Sequence, residues 1–385
     1  MPQIHCLNNI SPRGTDKLPE NYTLTDDFSQ ADGVLVRSAS LHDAEFPPSL
    51  LAIGRAGAGV NNIPLDRCAE EGIVVFNAPG ANANAVKEIV ICSLLLGSRG
   101  IVEGIDWVRA NADDPAIAKS VEKAKKAFAG REIAGKKLGV IGLGAIGALV
   151  ANAAIDLGME VYGYDPYVSV AAAWRISSKA HLVTDLDELC RACDYLTIHV
   201  PALDSTRNMI GARQIGLMKD DAVLLNFSRE TIVDLEALVS ALEAGTLGRY
   251  ITDFAHPATV EAKGVITVPH LGASTAEAED NCAVMAVKEL VDFLENGAIV
   301  NSVNFPACSR GPRPADGARI SVLHRSVEGL PARLAAAAEE SLVGFDSAER
   351  GAFGCTLMDL AAAPATELLE ALESLEGVIR VRVLG

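Results

Sequence analysis

The sequence has no surplus of positive charge, no long apolar run and no framework of paired cysteines. Its 33 Lys and Arg are outnumbered by 50 Asp and Glu, giving a formal net charge of −17. That balance argues against nucleic acid or an anionic membrane as partner. It also means that any anionic ligand must be gathered by a local cluster of Arg and Lys. No stretch reaches the ~18 uninterrupted apolar residues of a membrane-spanning helix. The N-terminus lacks the basic-then-apolar order of a secretion signal, so a cytoplasmic location is expected. The eight cysteines are scattered, as reduced thiols would be. Cys190 and Cys193 form one C-x-x-C, but no second pair or nearby histidine completes a zinc set, so helix packing is expected there and no metal.

What is present is enough chain, 385 residues with 49% hydrophobic content, for two or three domains that each bury a core. The chain is organised around the stretch from Lys137 to Gly147, in which an apolar run short enough for a buried parallel strand ends in Gly142-Leu143-Gly144-Ala145-Ile146-Gly147. An Ala-rich helical pattern follows, then a second apolar run, Val161 to Tyr164, which stops at Asp165. In such a G-x-G-x-x-G turn the first glycine permits the tight turn. The second lets a pyrophosphate approach the backbone, and the third lets helix and strand pack closely. The helix N-terminus offers unpaired N–H groups to the phosphates. Asp165, 23 residues after Gly142, is placed to accept hydrogen bonds from a ribose diol, and its charge would repel a 2′-phosphate, which favours NAD over NADP.

Residues 1–100 read as alternating short strands and helices, with strands at Ile4 to Leu7, Val34 to Arg37, Leu51 to Arg55 and Ile73 to Phe76. In an open α/β sheet, ligands gather at the C-terminal ends of strands. There the loops carry Arg37-Ser38-Ala39, the run from Arg55 through Gly57 and Gly59 to Asn62, and Asn77-Ala78-Pro79-Gly80-Ala81-Asn82. Two arginines on successive strand ends, beside a run of glycines, suit an anionic ligand held by guanidinium forks and backbone N–H groups. Residues 85–100 read as an apolar helix suited to burial between two domains, and the Lys-rich stretch from Val108 to Lys137 as solvated helix faces. Further strands are expected at Asp194 to Pro201, Ala222 to Arg229, Tyr250 to Asp253 and Val265 to His270. A long helix then runs from Thr275 to Asn296, capped by Ser274 and ended by Gly297.

These motifs, together with Val36-Arg37-Ser38-Ala39, His199-Val200-Pro201, Asn226-Phe227-Ser228-Arg229, Pro269-His270-Leu271-Gly272-Ala273-Ser274-Thr275 and Ser302-Val303-Asn304-Phe305-Pro306, resemble the D-isomer-specific 2-hydroxyacid dehydrogenases over about residues 30–306. The Arg55-Ala56-Gly57 and Pro269 to Thr275 stretches narrow the resemblance to the branch that oxidises phosphoglycerate with NAD at the entry to serine biosynthesis. The resemblance implies His270 as the base that takes the hydroxyl proton and Arg229 as the fork that holds the carboxylate and polarises the developing carbonyl. It implies Arg37, Ser38, Arg55, Ala56, Gly57, Asn61 and Gly80 at the substrate. It implies Ala78, Gly142, Gly144, Ala145, Ile146, Gly147, Asp165, His199, Val200, Pro201, Phe227, Ser228, Asp253, Gly272 and Ala273 at the NAD cofactor. For His5, His42, His181 and His256 a structural reading is kept. Two alternatives stay open: a dehydrogenase for another 2-hydroxy acid, of the D-lactate or 2-hydroxyglutarate kind, and a nucleotide-sensing relative that has lost turnover.

One departure stands out. The family pattern pairs the histidine with a glutamate, and the position where it should stand, 29 residues after Arg229, is Ala258. Asp253 keeps its expected place 24 residues after the arginine, and Glu261 and Asp253 are the available substitutes. The expectation is that His270 works without an acid at the usual position.

Beyond Pro306, residues 307–317 have linker composition. Residues 318–385 then read as strand (Ala318 to His324), helix (Leu330 to Glu339), a weakly indicated strand near Leu342 to Phe345, strand (Gly354 to Leu360), helix (Ala365 to Leu375) and strand (Val378 to Leu384). That βαββαβ order resembles the ACT domains that bind small amino acids at a dimer interface. The family's effector motif, His-x-Asn with a second asparagine further on, is replaced by His324-Arg325-Ser326 and by Gly344, so a structural dimerisation module is at least as well supported as a serine-binding one. The expected fold class is α/β, with two Rossmann-like doubly wound parallel-sheet domains and a C-terminal ACT-like domain. The substrate-binding domain is expected at residues 1–95 and 275–306, the NAD-binding domain at 96–274, and the assembly as a homodimer or homotetramer.

Overall fold

The structure is a computed structural model that describes residues 1–338 and 341–384, so the expected helix end at Glu339 and the last residue of the expected C-terminal domain lie outside the described residues. The chain divides into two compact units, Met1–Asn82 with Ala276–Gly385, and Ala83–Thr275.

In the first unit five parallel strands form a sheet. Gln3–Cys6 lies between Thr23–Thr25 and Gly33–Val36, and Ala52–Arg55 and Val74–Phe76 continue outward from Gly33–Val36. The strand order reverses between Gln3–Cys6 and Gly33–Val36, so the loops after those two strands flank the switch point where α/β sheets bind ligands. Gly33–Val36 is buried on both faces, as its unbroken apolar run requires in a sheet covered on both sides. Helix Ala276–Asn296 covers one face, with Ala286, Val287, Leu290, Phe293 and Leu294 in the core. It stops at Gly297, whose φ of 69° is the left-handed conformation that ends helices.

The same unit carries a four-stranded antiparallel sheet in the order Leu342–Arg350, Phe353–Leu360, Ala318–Arg325, Val378–Leu384, connected as βαββαβ. Helices Leu330–Ala337 and Thr366–Glu373 pack on one face over Ile320, Val322, Met358 and Leu360. The other face sends Leu323, Cys355 and Leu357 into the core that holds Phe293 and Phe305. Arg319, almost wholly buried, pairs with Asp359 at 2.6 Å and donates to the carbonyls of Asn296, Gly311 and Pro312. Those bonds tie down the segment that reads as a linker, and they satisfy a charge that would be costly to bury alone. Leu342–Arg350 is a full nine-residue edge strand where the sequence signals only its first turn. Asp346, Ser347 and Glu349 dilute its apolar alternation, as expected of a sheet edge.

In the second unit seven parallel strands run in the order Val265–Thr267, Arg249–Thr252, Val223–Asn226, Tyr195–Ile198, Lys137–Ile141, Glu160–Tyr164, His181–Leu182. This is the doubly wound order of dinucleotide-binding sheets, and its switch point falls between Lys137–Ile141 and Tyr195–Ile198. Helix Ala83–Ser98 belongs to this unit: a Cβ at Gly97 would lie 2.8 Å from Val223 and 3.2 Å from Ile251, so only glycine lets the helix sit that close to the strands. The division therefore falls after Asn82, where the sequence reading set it after residue 95. Helix Ile101–Ala110 ends as the Lys-rich stretch begins, and helix Ile117–Ala124 lies within it. Cys190 and Cys193 are fully buried in the core with Leu189, Leu196 and Ile198, and burial pushes both thiols up to about 12. Among the described residues no helix is long and apolar enough to cross a membrane, and no group of three His, Cys, Asp or Glu could hold a metal ion.

Candidate active site

In the nucleotide unit each glycine of the loop meets a different steric demand. Gly142 has φ 91°, its N–H donates to Tyr164 O at 2.8 Å, and a Cβ there would stand 2.6 Å from His199 O. At Gly147 a Cβ would stand 1.9 Å from Gly142 O, so the third glycine is what lets helix Ala145–Asp156 start against the loop. Over Gly144 the space is open, and the helix N-terminus at Ala145 and Ile146 has no side-chain cap. An open cradle beside uncapped N–H groups is what a pyrophosphate requires. Asp165 follows strand Glu160–Tyr164. Its Oδ2 accepts from Leu143 N–H at 2.8 Å and its Oδ1 from Tyr167 N–H at 2.9 Å, which fixes the carboxylate against the glycine loop with lone pairs to spare. These residues fit an NAD cofactor.

Across the switch point, strand Tyr195–Ile198 delivers His199, Val200 and Pro201. His199 N–H donates to Ile141 O at 2.7 Å, its Nε2 lies 2.9 Å from Thr197 Oγ1, and burial lowers the ring to about 3, so it stays neutral. After strand Val223–Asn226, the fully buried Asn226 clamps the turn: its side chain donates to Arg229 O at 2.9 Å and accepts from Ser228 N–H at 3.1 Å. Ser228 Oγ donates to Ile198 O at 2.9 Å, Phe227 is buried, and the Arg229 side chain emerges exposed.

Asp253, 3% exposed, links the rest of this half. Its carbonyl accepts from His270 N–H at 3.0 Å and its Oδ2 from Gly272 N–H at 2.9 Å, while Oδ1 is buried without a partner. Burial raises its pKa, and the Gly272 N–H and the charges of His270 and Arg229 pull against that rise. His270 is exposed, holds a left-handed φ of 47°, and meets the edge of the Phe254 ring at 5.3 Å. Such a φ is uncommon for a non-glycine residue and concentrates at functional sites. Ala273 is half-buried behind Gly272. Glu261 is exposed in the loop before Val265–Thr267, and His256 faces Glu230 at 3.8 Å.

In the other unit, Arg37 and Arg55 end adjacent strands. Asn8 Oδ1 accepts from the N–H groups of Arg37, Ser38 and Ala39 at 2.9, 3.0 and 3.1 Å, knitting together the two loops at the switch point. Arg37 reaches Glu279 at 2.6 Å, with both side chains half exposed. The Arg55 guanidinium lies across Gly57, where a Cβ would be 1.5 Å from Nη1, and Gly57 has φ 149°. Ala56 is buried with its N–H on Val36 O, and Ala78 N–H donates to Gly57 O at 2.9 Å. The N–H groups of Ala58 and Gly59 make no hydrogen bond among the described residues. Gly80 turns with φ 79°, and Asn61 is exposed, its carbonyl 3.0 Å from the His42 ring. Asn8 and Glu279 were not legible as site residues: neither lies in a motif, and Glu279 comes from a helix more than 200 residues away in sequence.

Residues 91–272 match the family described as D-isomer specific 2-hydroxyacid dehydrogenase, NAD binding domain. The chain is 34% identical over 354 residues to the D-3-phosphoglycerate dehydrogenase of Haemophilus influenzae, covering 88% of this chain and 82% of that one. It is 35% identical over 351 residues to the enzyme of that name from Escherichia coli, covering 87% and 82%. Its fold is similar to the NAD+-bound 3-phosphoglycerate dehydrogenase of Entamoeba histolytica, with a TM-score of 0.63 and 26% identity over 78% of this chain and 98% of that one. It is also similar in fold to a glyoxylate/hydroxypyruvate reductase of Sinorhizobium meliloti, with a TM-score of 0.66 and 23% identity over 79% and 98%.

Proposed function

The chain belongs to the D-isomer-specific 2-hydroxyacid dehydrogenase family, and from that premise we propose that it oxidises D-3-phosphoglycerate to 3-phosphohydroxypyruvate with NAD, at the entry to serine formation. The observation that carries the reading is the trio of Arg229, Asp253 and His270 in the nucleotide unit, an exposed guanidinium and an exposed imidazole at strand ends, with the buried Asp253 holding His270 N–H on its carbonyl at 3.0 Å. His270 takes the proton of the C2 hydroxyl and returns it in the reverse direction. Arg229 holds the C1 carboxylate and stabilises charge growing on the C2 oxygen. NAD, when bound, supplies the hydride acceptor. Gly142, Gly144, Ala145, Ile146 and Gly147 receive its phosphates and Asp165 its ribose hydroxyls, while Ala78, His199, Val200, Pro201, Phe227, Ser228, Asp253, Gly272 and Ala273 line it. Arg37, Ser38, Arg55, Ala56, Gly57, Asn61 and Gly80 receive the substrate's remaining anionic groups, with the N–H groups of Ala58 and Gly59 beside them. The test is NAD reduction by purified protein over a panel of D-2-hydroxy acids. Phosphoglycerate should give the highest kcat/KM, and no reduction with any of them would leave only a nucleotide-binding role.

The ion pair between Arg37 and Glu279 favours a second reading, in which the substrate is an unphosphorylated 2-hydroxy acid, because one of the two cations already has a carboxylate partner. The same panel separates the two.

We read the C-terminal βαββαβ region as an ACT-like domain with a structural role. The His324 ring, fully buried, already bonds Arg325 O and Thr356 Oγ1, and the space over Gly344 is filled by the Arg310 guanidinium. An amino-acid effector would have to displace the chain's own groups, so serine at millimolar concentration should leave the rate unchanged. Exposed Ile101, Ile105 and Val108 on one helix support assembly as a homodimer or homotetramer, which light scattering would resolve. Its similarity to D-3-phosphoglycerate dehydrogenases supports a cytoplasmic location, which fractionation would test.

A further inference from the structure

The backbone of His270 is held more firmly than its ring. Its N–H donates to Asp253 O and to Val268 O, each at 3.0 Å, and its carbonyl accepts from Ser274 Oγ at 3.3 Å. With φ at 47° the direction of the Cα–Cβ bond is set, and the imidazole keeps only its side-chain torsions. Among the described residues neither ring nitrogen of His270 has a hydrogen-bond partner. A general base still needs a group that fixes its orientation, because proton transfer requires the ring nitrogen within ~3 Å of the hydroxyl it serves.

Phe254 is the side chain whose ring meets it. The two ring centroids are 5.3 Å apart and the planes lie at 72°, the edge-to-face arrangement that aromatic quadrupoles favour. Phe254 is itself anchored: it is half-buried, and its N–H donates to Thr252 Oγ1 at 3.1 Å. The same hydroxyl donates to Asn226 O at 2.9 Å, and both Thr252 and Asn226 are fully buried. Asn226 in turn clamps the loop that presents Arg229, through Arg229 O and Ser228 N–H. One buried pair therefore stands beneath both the ring that meets His270 and the loop that carries the guanidinium.

We propose, resting on the dehydrogenase reading, that Phe254 is a positioning residue for His270. Its ring restricts the imidazole's torsions by an edge-to-face contact, and Thr252 fixes Phe254 relative to the Arg229 loop. The base is thus oriented by an aromatic wall where a hydrogen-bonded carboxylate would otherwise serve. Without that wall the ring samples unproductive rotamers, so the loss falls on turnover and not on binding.

Steady-state phosphoglycerate oxidation by wild type, Phe254→Leu and Phe254→Tyr tests this. Leucine keeps apolar bulk and removes the ring, so kcat should fall about 3- to 10-fold, the worth of one aromatic pair. KM and the Kd for NAD should each stay within about twofold, the pattern of an interaction that matters only in the transition state. Tyrosine keeps the ring and should restore kcat. The deuterium isotope effect on kcat with C2-deuterated substrate should grow in Phe254→Leu, as slowed chemistry becomes more nearly rate-limiting. A role confined to stability would lower Tm and leave kcat and the isotope effect unchanged. Thr252→Val strips the anchoring hydroxyl at nearly constant shape and should lower kcat in the same way, with Thr252→Ser restoring it. Should Thr252→Val fail to fold, Phe254→Leu decides alone.

The contact also has a readout that needs no turnover. The His270 ring protons, assigned in NMR spectra by their loss in His270→Asn, should shift when Phe254→Leu removes the ring current. No shift, or wild-type kcat in Phe254→Leu, would overturn the proposal while leaving the dehydrogenase reading intact. A wild type that oxidises no 2-hydroxy acid would instead end that reading, and the positioning role with it.

Discussion

The two units prepare for their ligands by different means. Around Gly142, Gly147 and Asp165 the backbone itself sets the geometry: a methyl group at either glycine would collide with carbonyl oxygens, and the Asp165 carboxylate is pinned to a loop N–H. Around Arg37 and Arg55 the geometry is set by side chains holding other side chains and turns, through Asn8, Glu279 and the contact of Arg55 over Gly57. A site built from backbone sterics is rigid and tolerates little substitution. One built from exposed ion pairs can be retuned by single changes of modest cost. The first suits a cofactor common to a whole family, the second a substrate that differs among its members.

The sharpest division is between binding and turnover within the nucleotide unit. His270→Asn should lower kcat by roughly 10²–10⁴-fold, the usual worth of a positioned general base, while leaving NAD affinity unchanged by fluorescence titration. A large loss of NAD affinity in that variant would show His270 acting as scaffold. Gly147→Ala should do the opposite. Its Cβ would sit 1.9 Å from a carbonyl oxygen that belongs to the same loop, so the loop must move and the Kd for NAD should rise at least ~10-fold. If Gly147→Ala binds NAD normally, the claim that backbone sterics govern this half is wrong.

The substrate half should respond more gently. The pair between Arg37 and Glu279 is half exposed, and such pairs contribute about 0.2–1 kcal/mol. Glu279→Gln releases the guanidinium, and KM for phosphoglycerate should fall by up to ~5-fold at low salt, with little change in kcat. The gain should shrink as ionic strength rises. Arg37→Met should raise KM for phosphoglycerate more than for D-lactate, since only the former carries a second anionic group. Equal effects on both substrates would place Arg37 outside the substrate site.

This contrast also explains what could be read without the structure. The glycine loop, Asp165 and the strands of the nucleotide unit were legible because the constraints are local: neighbours in sequence meet neighbours in space, and a glycine is the visible mark of a forbidden Cβ. The partnerships of Arg37 were not, because Asn8 and Glu279 reach it from distant segments and either residue type is ordinary on a surface. The division after Asn82 was obscured for a related reason. Helix Ala83–Ser98 is apolar enough to join either unit, and the packing of Val86, Val90, Leu94 and Gly97 on the nucleotide sheet decides which. The docking of the C-terminal sheet through Leu323, Cys355 and Leu357 was likewise invisible, since a strand's periodicity shows which residues share a face but not what covers it.

The smallest expected effect concerns the acid that the family pattern places at position 258, where this chain has alanine. Two carboxylates could take its place. Glu261 is exposed on the preceding loop, where solvent would screen any interaction with the imidazole. Asp253 is buried, its carbonyl holds His270 N–H at 3.0 Å, and its Oδ2 accepts from Gly272 N–H at 2.9 Å. Glu261→Ala should therefore leave the rate–pH profile of phosphoglycerate oxidation superimposable on wild type. Asp253→Asn alters the one buried carboxyl whose backbone holds His270, so it should lower kcat for phosphoglycerate oxidation where Glu261→Ala does not. Loss of the basic limb in Glu261→Ala would instead identify that residue as a stand-in. The anion supporting proton transfer would then come from an exposed surface loop, and the nucleotide unit would no longer be uniformly rigid.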